Sequence, residues 1–335
     1  MKLAVVIKVA ILLAAAILII NSMDLSRFLA LAGAIPWYVF VAGGAIVLVQ
    51  AWMLAARWKR MTGFFAHSQL TSFESFTAIL ISFFFSQGLP ASIGGDAARI
   101  WLLKEQGTAI RTGIRAALVD RFWGFLSLAF LACLGLMWLF VSQPQMSNWS
   151  SVVILVTAIS IGVLVAAIGW PVKILDWLDA FAEQKIPFTA PIIGSLTRLK
   201  RDFDTYNRDA EKFRITVLLS GAVHTLTLFV AALPFALHTE SVSLFAFFAA
   251  IPPVMLIGYL PISFAGWGVR EGAMIVGLGL IGISLENALI ISLFMGITVL
   301  LVSLLGGVLW LISDTRKSKK PIFANPGSEP NSDLT

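Results

Sequence analysis

Apolar residues run along this chain in long blocks separated by short polar stretches. A helix needs about 20 mainly apolar residues to cross a hydrocarbon core of ~30 Å. Runs of that kind lie near 4–20, 36–56, 116–140, 151–170, 215–235 and 286–312, which predicts about six full transmembrane helices. The first run follows Lys2 as a signal peptide would. No small-residue cleavage site clearly follows it and five more spans do, so a retained anchor is the expectation.

Two regions, about 75–103 and 243–283, do not pattern as simple crossings. In the first, the apolar run Phe76–Phe85 leads into Gln87-Gly88-Leu89-Pro90-Ala91-Ser92-Ile93-Gly94-Gly95-Asp96. From Ser75 to Gly88 a helix would measure about 21 Å, too short to span. A full crossing there would also place Lys104, Arg111 and Arg115 outside, against the rule that lysine and arginine stay on the cytoplasmic side. A re-entrant hairpin that enters and leaves on that side removes the conflict. The second region carries Pro252-Pro253 and then Leu260-Pro261-Ile262-Ser263-Phe264-Ala265-Gly266-Trp267-Gly268. It reads as a hairpin entering from the outside, with two short crossings as the alternative.

Charge placement orients the chain. Of 24 lysines and arginines, 21 fall in segments assigned to the inside, Arg57, Lys59 and Arg60 among them, and only Arg27 falls in an outer loop. Both termini are then cytoplasmic. Residues 171–214 form the one sizeable extramembrane insert; its second half, Leu196 to Arg214, fits an amphipathic helix on the inner leaflet or a solvated hairpin. Residues 313–335 are polar and expected to be a disordered cytoplasmic tail, leaving 1–312 as a single membrane domain.

Composition closes the other classes. Only 13% of residues are charged, against about 25% in soluble domains, while 59% are apolar and mean hydropathy is +0.90. The net charge of +6 follows the topology and gives no reason to expect nucleic acid. One cysteine, Cys133, excludes a disulfide scaffold or a multi-Cys metal site, and His67, His224 and His238 show no ligand spacing, so neither metal nor cofactor is expected.

The two irregular regions resemble each other. Leu89-Pro90-Ala91-Ser92-Ile93-Gly94-Gly95-Asp96-Ala97-Ala98-Arg99 aligns with Leu260-Pro261-Ile262-Ser263-Phe264-Ala265-Gly266-Trp267-Gly268-Val269-Arg270 at a constant offset of 171, with Leu, Pro, Ser, Gly and Arg in common. Turn chemistry does not demand the Ser and Arg matches, which favours an internal repeat. One hairpin opening inward and one outward is the inverted relation of many transporters, whose substrate sites sit at such helix breaks. The fold predicted is therefore an all-α polytopic membrane protein with two re-entrant broken-helix hairpins related as an inverted repeat.

The motif chemistry suits an anion. Pro90 and Pro261 mark the helix breaks, and a half-helix starting there aims free N–H groups and a positive dipole end at the cavity. Gly94, Gly95, Gly266 and Gly268 allow close backbone approach. Ser92 and Ser263 add hydroxyls, and Arg99 and Arg270 add guanidinium forks matched to phosphate or carboxylate. Charges inside a membrane cost at least ~2.5–3.5 kcal/mol each on insertion scales, so Asp96, Asp120, Arg121 and Glu271 should pair. They form either a central network joining both hairpins to the 116–140 helix or salt bridges that only hold the hairpins in place. Gly43-Gly44 and Gly306-Gly307 read as sites of close helix packing, and Trp37, Trp52, Trp149 and Trp170 as an interfacial belt.

The stretch Gln87–Arg99, with Asp120-Arg121-Phe122-Trp123-Gly124 and Gly266-Trp267-Gly268-Val269-Arg270-Glu271, resembles the flippase-like membrane domain of lysylphosphatidylglycerol synthases, over about residues 5–312. The resemblance implies an inner-membrane protein that moves phospholipids or isoprenoid-linked lipids between leaflets. It does not imply aminoacyl transfer, because the synthases' soluble C-terminal domain has no counterpart in this sequence. The function expected is a lipid translocase, with a membrane lipid as substrate and a lipid- or glycan-synthesising enzyme as a possible partner. An intramembrane enzyme acting on a lipid phosphate, or a non-transporting accessory subunit, are the alternatives.

Overall fold

The structure, a computed structural model, describes residues 23–67, 70–88, 93–142, 180, 190–237, 242–258 and 267–316. The expected spans 4–20 and 151–170, most of the first half of the 171–214 insert, and the tail beyond 316 lie outside these residues, as do Trp149, Trp170 and His238. The described chain is all-helical. Its helices are α1 (Leu25–Gly33), α2 (Trp37–Phe65), α3 (Ser72–Gly88), α4 (Ile93–Glu105), α5 (Ile110–Ser142), α6 (Ala190–Asn207), α7 (Ala210–Phe235), α8 (Leu244–Gly258), α9 (Val269–Gly279) and α10 (Leu285–Arg316). Four of them, α2, α5, α7 and α10, are long and apolar enough to cross a membrane. Their outer faces carry exposed side chains such as Val41, Phe130, Leu218 and Leu304, which a lipid environment accommodates.

Local chemistry sets the helix ends. Pro36 precedes α2 with φ −68°, where a missing N–H costs nothing. Asp24 caps α1 by accepting from the Arg27 amide at 3.0 Å, and its own N–H donates to Glu286 Oε1 at 3.1 Å, tying α1 to α10. Thr71 and Glu74 form a reciprocal capping box at the start of α3. Asp209 caps α7 by accepting from the amides of Glu211 and Lys212. The Lys212 ammonium and amide hold the Asp209 carboxyl below its ordinary value, so this cap is intact at neutral pH and is lost only as pH falls through that lowered value.

That cap divides the charged stretch Leu196–Arg214, for which the sequence offers an amphipathic helix or a solvated hairpin. Residues 196–207 belong to α6, and 210–214 form the first turn of the spanning helix α7. On α6, Thr197, Lys200, Phe203 and Tyr206 are buried at a spacing of three. Phe203 lies edge-on to Phe122 and tilted against Trp123 of α5, with ring centroids 5.0 and 5.2 Å apart. Arg115 and Asp202 pair across the same contact.

Helix α2 also runs further than expected. Its 29 residues continue past Ala56 to Phe65, so Trp52, read as an interface anchor, lies mid-helix, with its ring 5.3 Å from that of Phe76. Arg57, assigned from sequence to a cytoplasmic loop, sits inside the helix and is only 5% exposed.

The packing order repeats along the chain. Helices α3 and α4 pack on each other, α4 packs on α5, and α3 packs on the distant α10. Five helices on, α8 and α9 pack on each other, α9 packs on α10, and α8 packs on α5. The pairs α2–α5 and α7–α10, α2–α10 and α5–α7, α2–α3 and α7–α8, and α1–α10 and α5–α6 correspond in the same way, while α2 and α7 pack on each other.

Glycines set the two closest crossings. A Cβ on Gly306 of α10 would run into the main-chain carbonyl of Leu80 in α3, and a Cβ on Gly135 of α5 into that of Ala249 in α8. These glycines are 171 residues apart, the offset of the Pro-Ser-Gly-Arg motifs. Helix α8 continues through Pro252 and Pro253. Pro253 has no N–H, so the Ala249 carbonyl lacks its helical donor, and the bare Cα of Gly135 approaches that carbonyl. Gly43 does similar work between α2 and α10, where a Cβ would lie 3.1 Å from both Phe294 and Thr298.

Candidate functional site

Where α2, α5 and α7 meet, polar side chains at two-turn spacing face one another. Gln50 and Arg57 lie seven residues apart, hence on one face of α2. Gln50 Nε2 donates to the Val223 carbonyl at 2.9 Å and to Thr227 Oγ1 at 2.8 Å. Arg57 Nε donates to Asp120 Oδ1 of α5 at 2.6 Å, and its Nη1 donates to Ser220 Oγ of α7 at 2.8 Å. His224 Nε2 donates to the Gly124 carbonyl at 2.9 Å.

Asp120 joins this crossing to α4. Its Oδ2 accepts from Arg99 Nη1 of α4 at 3.1 Å. Arg99 also pairs with Asp96 one turn earlier, and Asp96 pairs in turn with Arg121. The Arg99 guanidinium lies over the Trp58 ring, 4.3 Å from its centroid. Charges therefore alternate from half-exposed Arg121 through Asp96, Arg99 and Asp120 to buried Arg57. Each buried charge has an opposite partner, the condition under which such groups persist in an apolar interior.

The charges at the start of α9 stay apart from that chain. Arg270 Nη2 donates to Glu271 Oε1 at 2.7 Å and its Nε to Ser292 Oγ of α10 at 3.1 Å. Its guanidinium lies 4.8 Å from the Trp267 ring centroid. Glu271 also accepts from the Gly268 amide at the start of α9. Gly268 has φ +82°, a conformation that suits glycine. A Cβ on Gly296 would strike the Arg270 guanidinium and the Trp267 ring, so a glycine there makes room for both.

Between these groups lies a cavity of about 360 Å³. Its wall takes Gln50 and Arg57 from α2, Gly124 and Leu128 from α5, Val223, His224 and Thr227 from α7, Val299 from α10, and Arg270 from α9. In α5, α7 and α10 these residues come from the middle turns, while Arg57 lies eight residues, about 12 Å, from the Phe65 end of α2. The cavity therefore lies level with the middle turns of these apolar helices, with Arg57 and Arg270 in its wall.

The sequence-derived candidates divide accordingly. Arg270 lines the cavity, whereas Arg99 is held behind Asp120 by two carboxylates. Asp96, Asp120 and Arg121 join α4 to α5, and Arg270 and Glu271 form a separate pair; among the described residues no ion pair connects the two groups. Gly95 serves packing, since a Cβ there would meet Ser82 and Ser86 of α3. Gly94 is buried. Pro90, Ser92, Pro261, Ser263 and Gly266 lie outside the described residues.

Arg57 and Gln50 were missed. The trace available was Arg57's phase: it falls seven residues after Gln50 and three after Leu54, on the inward face, whereas Lys59 and Arg60 do not.

Four long apolar helices around a mainly apolar cavity that also takes Arg57 and Arg270 into its wall define a multi-pass membrane protein. The model of the lysylphosphatidylglycerol synthase TM region matches residues 5–307, nearly the whole chain, and the protein belongs to that family. It is a membrane-domain family associated with lipid flipping or synthesis. Comparison with curated proteins gave no match.

Proposed function

We propose that this protein is a lipid translocase of the inner membrane that carries a polar headgroup between leaflets while the acyl or prenyl chains stay in lipid. The cavity carries the reading: two arginines, Arg57 and Arg270, line an open volume whose wall is otherwise mainly apolar, with Gln50, His224 and Thr227 as its other polar side chains. A bare charge in hydrocarbon costs tens of kcal/mol by idealised Born estimates, so a headgroup flips slowly unless paired donors replace its water. Arg57 and Arg270 supply them, and the reading also assigns headgroup contacts to Ser92, Gly94, Ser263, Gly266 and Gly268 of the two Pro-Ser-Gly-Arg motifs, while Gly95 packs on α3. Arg99, Asp96, Asp120, Arg121 and Glu271 hold the arginines in place.

The recurring packing order and the shared 171-residue offset support an inverted repeat, with α3–α4 and α8–α9 as hairpins re-entering from opposite sides. Rocking of one half against the other would expose the cavity to each leaflet in turn. With cytoplasmic termini, Glu105→Cys should label only from the inside and Leu285→Cys only from the outside, in a background lacking Cys133. Labelling of both from one side would refute the inverted arrangement.

The central test is transfer of a fluorescent phospholipid in liposomes holding the purified protein. Wild type should accelerate leaflet exchange over empty liposomes, and Arg57→Gln and Arg270→Gln should each slow it tenfold or more. Arg57→Gln leaves Asp120 paired with Arg99, so folding should survive. Wild-type rates in both variants would exclude the cavity as the path.

A further inference from the structure

We infer that the cavity accepts lipids in which a phosphate is the only charged group of the head, and rejects heads that also carry an ammonium. This rests on the translocase reading and adds substrate selection to it. The wall contains two arginines and, among the described residues, no carboxylate. Asp120 and Glu271 are each bound to the arginine that faces the opening and do not line it. The cavity therefore meets the positive ends of two ion pairs, a field that attracts an anion and repels a cation.

The hydrogen-bond inventory points the same way. Arg57 is only 5% exposed, and its Nη2 donates to no protein group among the described residues; the same holds for Nη1 of Arg270. An arginine fork directed at a cavity suits phosphate oxygens. The remaining polar wall groups are neutral: Thr227 Oγ1 already donates to the Val223 carbonyl, and the free acceptors are Gln50 Oε1, whose amide nitrogen is committed, and His224 Nδ1, whose Nε2 proton is held by Gly124. Such acceptors suit hydroxyls, as on a glycerol head, and do not neutralise an ammonium. The volume of about 360 Å³ sits at the lower end of the ~300–1,000 Å³ of small-molecule sites, enough for a phosphate with one small substituent and too small for an oligosaccharide.

The test uses the full chain in liposomes, with acyl-labelled phosphatidylglycerol, phosphatidylethanolamine and lysylphosphatidylglycerol, and a labelled polyprenyl phosphate. Phosphatidylglycerol, polyprenyl phosphate or both should cross at least tenfold faster than the two ammonium-bearing lipids, and their ratio identifies the chain class carried. Equal or faster transfer of an ammonium-bearing lipid would overturn the selectivity while leaving the translocase reading intact. No transfer of any lipid would overturn both. Gln50→Glu, which puts a carboxylate in the wall, should raise the rate of phosphatidylethanolamine relative to phosphatidylglycerol at least fivefold; an unchanged ratio in folded protein would count against the electrostatic origin.

Discussion

Asp120→Ala should destabilise the protein by about 3–5 kcal/mol, the usual cost of removing one partner from a buried ion pair. The carboxylate is 3% exposed and accepts from two guanidiniums on different helices, Arg57 at 2.6 Å and Arg99 at 3.1 Å. Without it, Arg57 retains only Ser220, and two buried cations face each other with no charge between them. The loss should appear as a lower unfolding midpoint and a lower monodisperse yield in detergent. Asp120→Asn, which keeps the shape and loses the charge, should fall between. If the penalty comes from the stranded cations, adding Arg57→Met to Asp120→Ala should recover part of it. An unchanged midpoint for Asp120→Ala would mean that the alternating chain of charges does not hold α2, α4 and α5 together.

Gly306→Leu and Gly135→Leu should each disrupt the fold at matching places. Overpacking a core costs typically ~1–3 kcal/mol, and these two should lie at or above that range because the obstructing atoms are main-chain carbonyls of Leu80 and Ala249, which cannot swing aside. Gly135→Leu carries an added penalty: it pushes α5 away from the carbonyl that Pro253 leaves without a helical donor. Unfolding midpoints measured beside Gly221→Ala give the comparison. Gly221 has nothing within 4 Å of a built Cβ, so that variant should be neutral or slightly stabilising, through lower chain entropy and better helix propensity. Similar midpoints for all three would remove the close crossings as a determinant of the fold.

Local pattern carried much of the architecture. Apart from Pro36, the apolar runs at 36–56, 116–140, 215–235 and 286–312 each lie within a long helix, because hydrocarbon requires every backbone group to be satisfied within its own segment. The Gly/Pro-rich stretches mark where α3 gives way to α4 and α8 to α9. The Asp96–Arg99 pair was readable from its three-residue spacing. Segment ends were less legible. An arginine after an apolar run signals a membrane exit by composition alone, so Arg57 and Trp52 were read as marking the end of a span, whereas the helix runs on to Phe65.

What the sequence determined by itself was what depends on near neighbours: a membrane-embedded helical chain, its helix breaks, its repeated Pro-Ser-Gly-Arg motif, and the short-range charge pairs. The tertiary structure alone decided which repeat-related arginine faces the cavity. Arg99 and Arg270 occupy equivalent motif positions, but α5 sets Asp120 against Arg99 and α10 sets the uncharged Ser292 against Arg270. Arg99 is thereby held by two carboxylates, Asp96 and Asp120, whereas Arg270 has one carboxylate, Glu271, and a hydroxyl, which leaves more of its donors available. That difference lies in partners 21 and 22 residues away on another helix, where no local periodicity reaches.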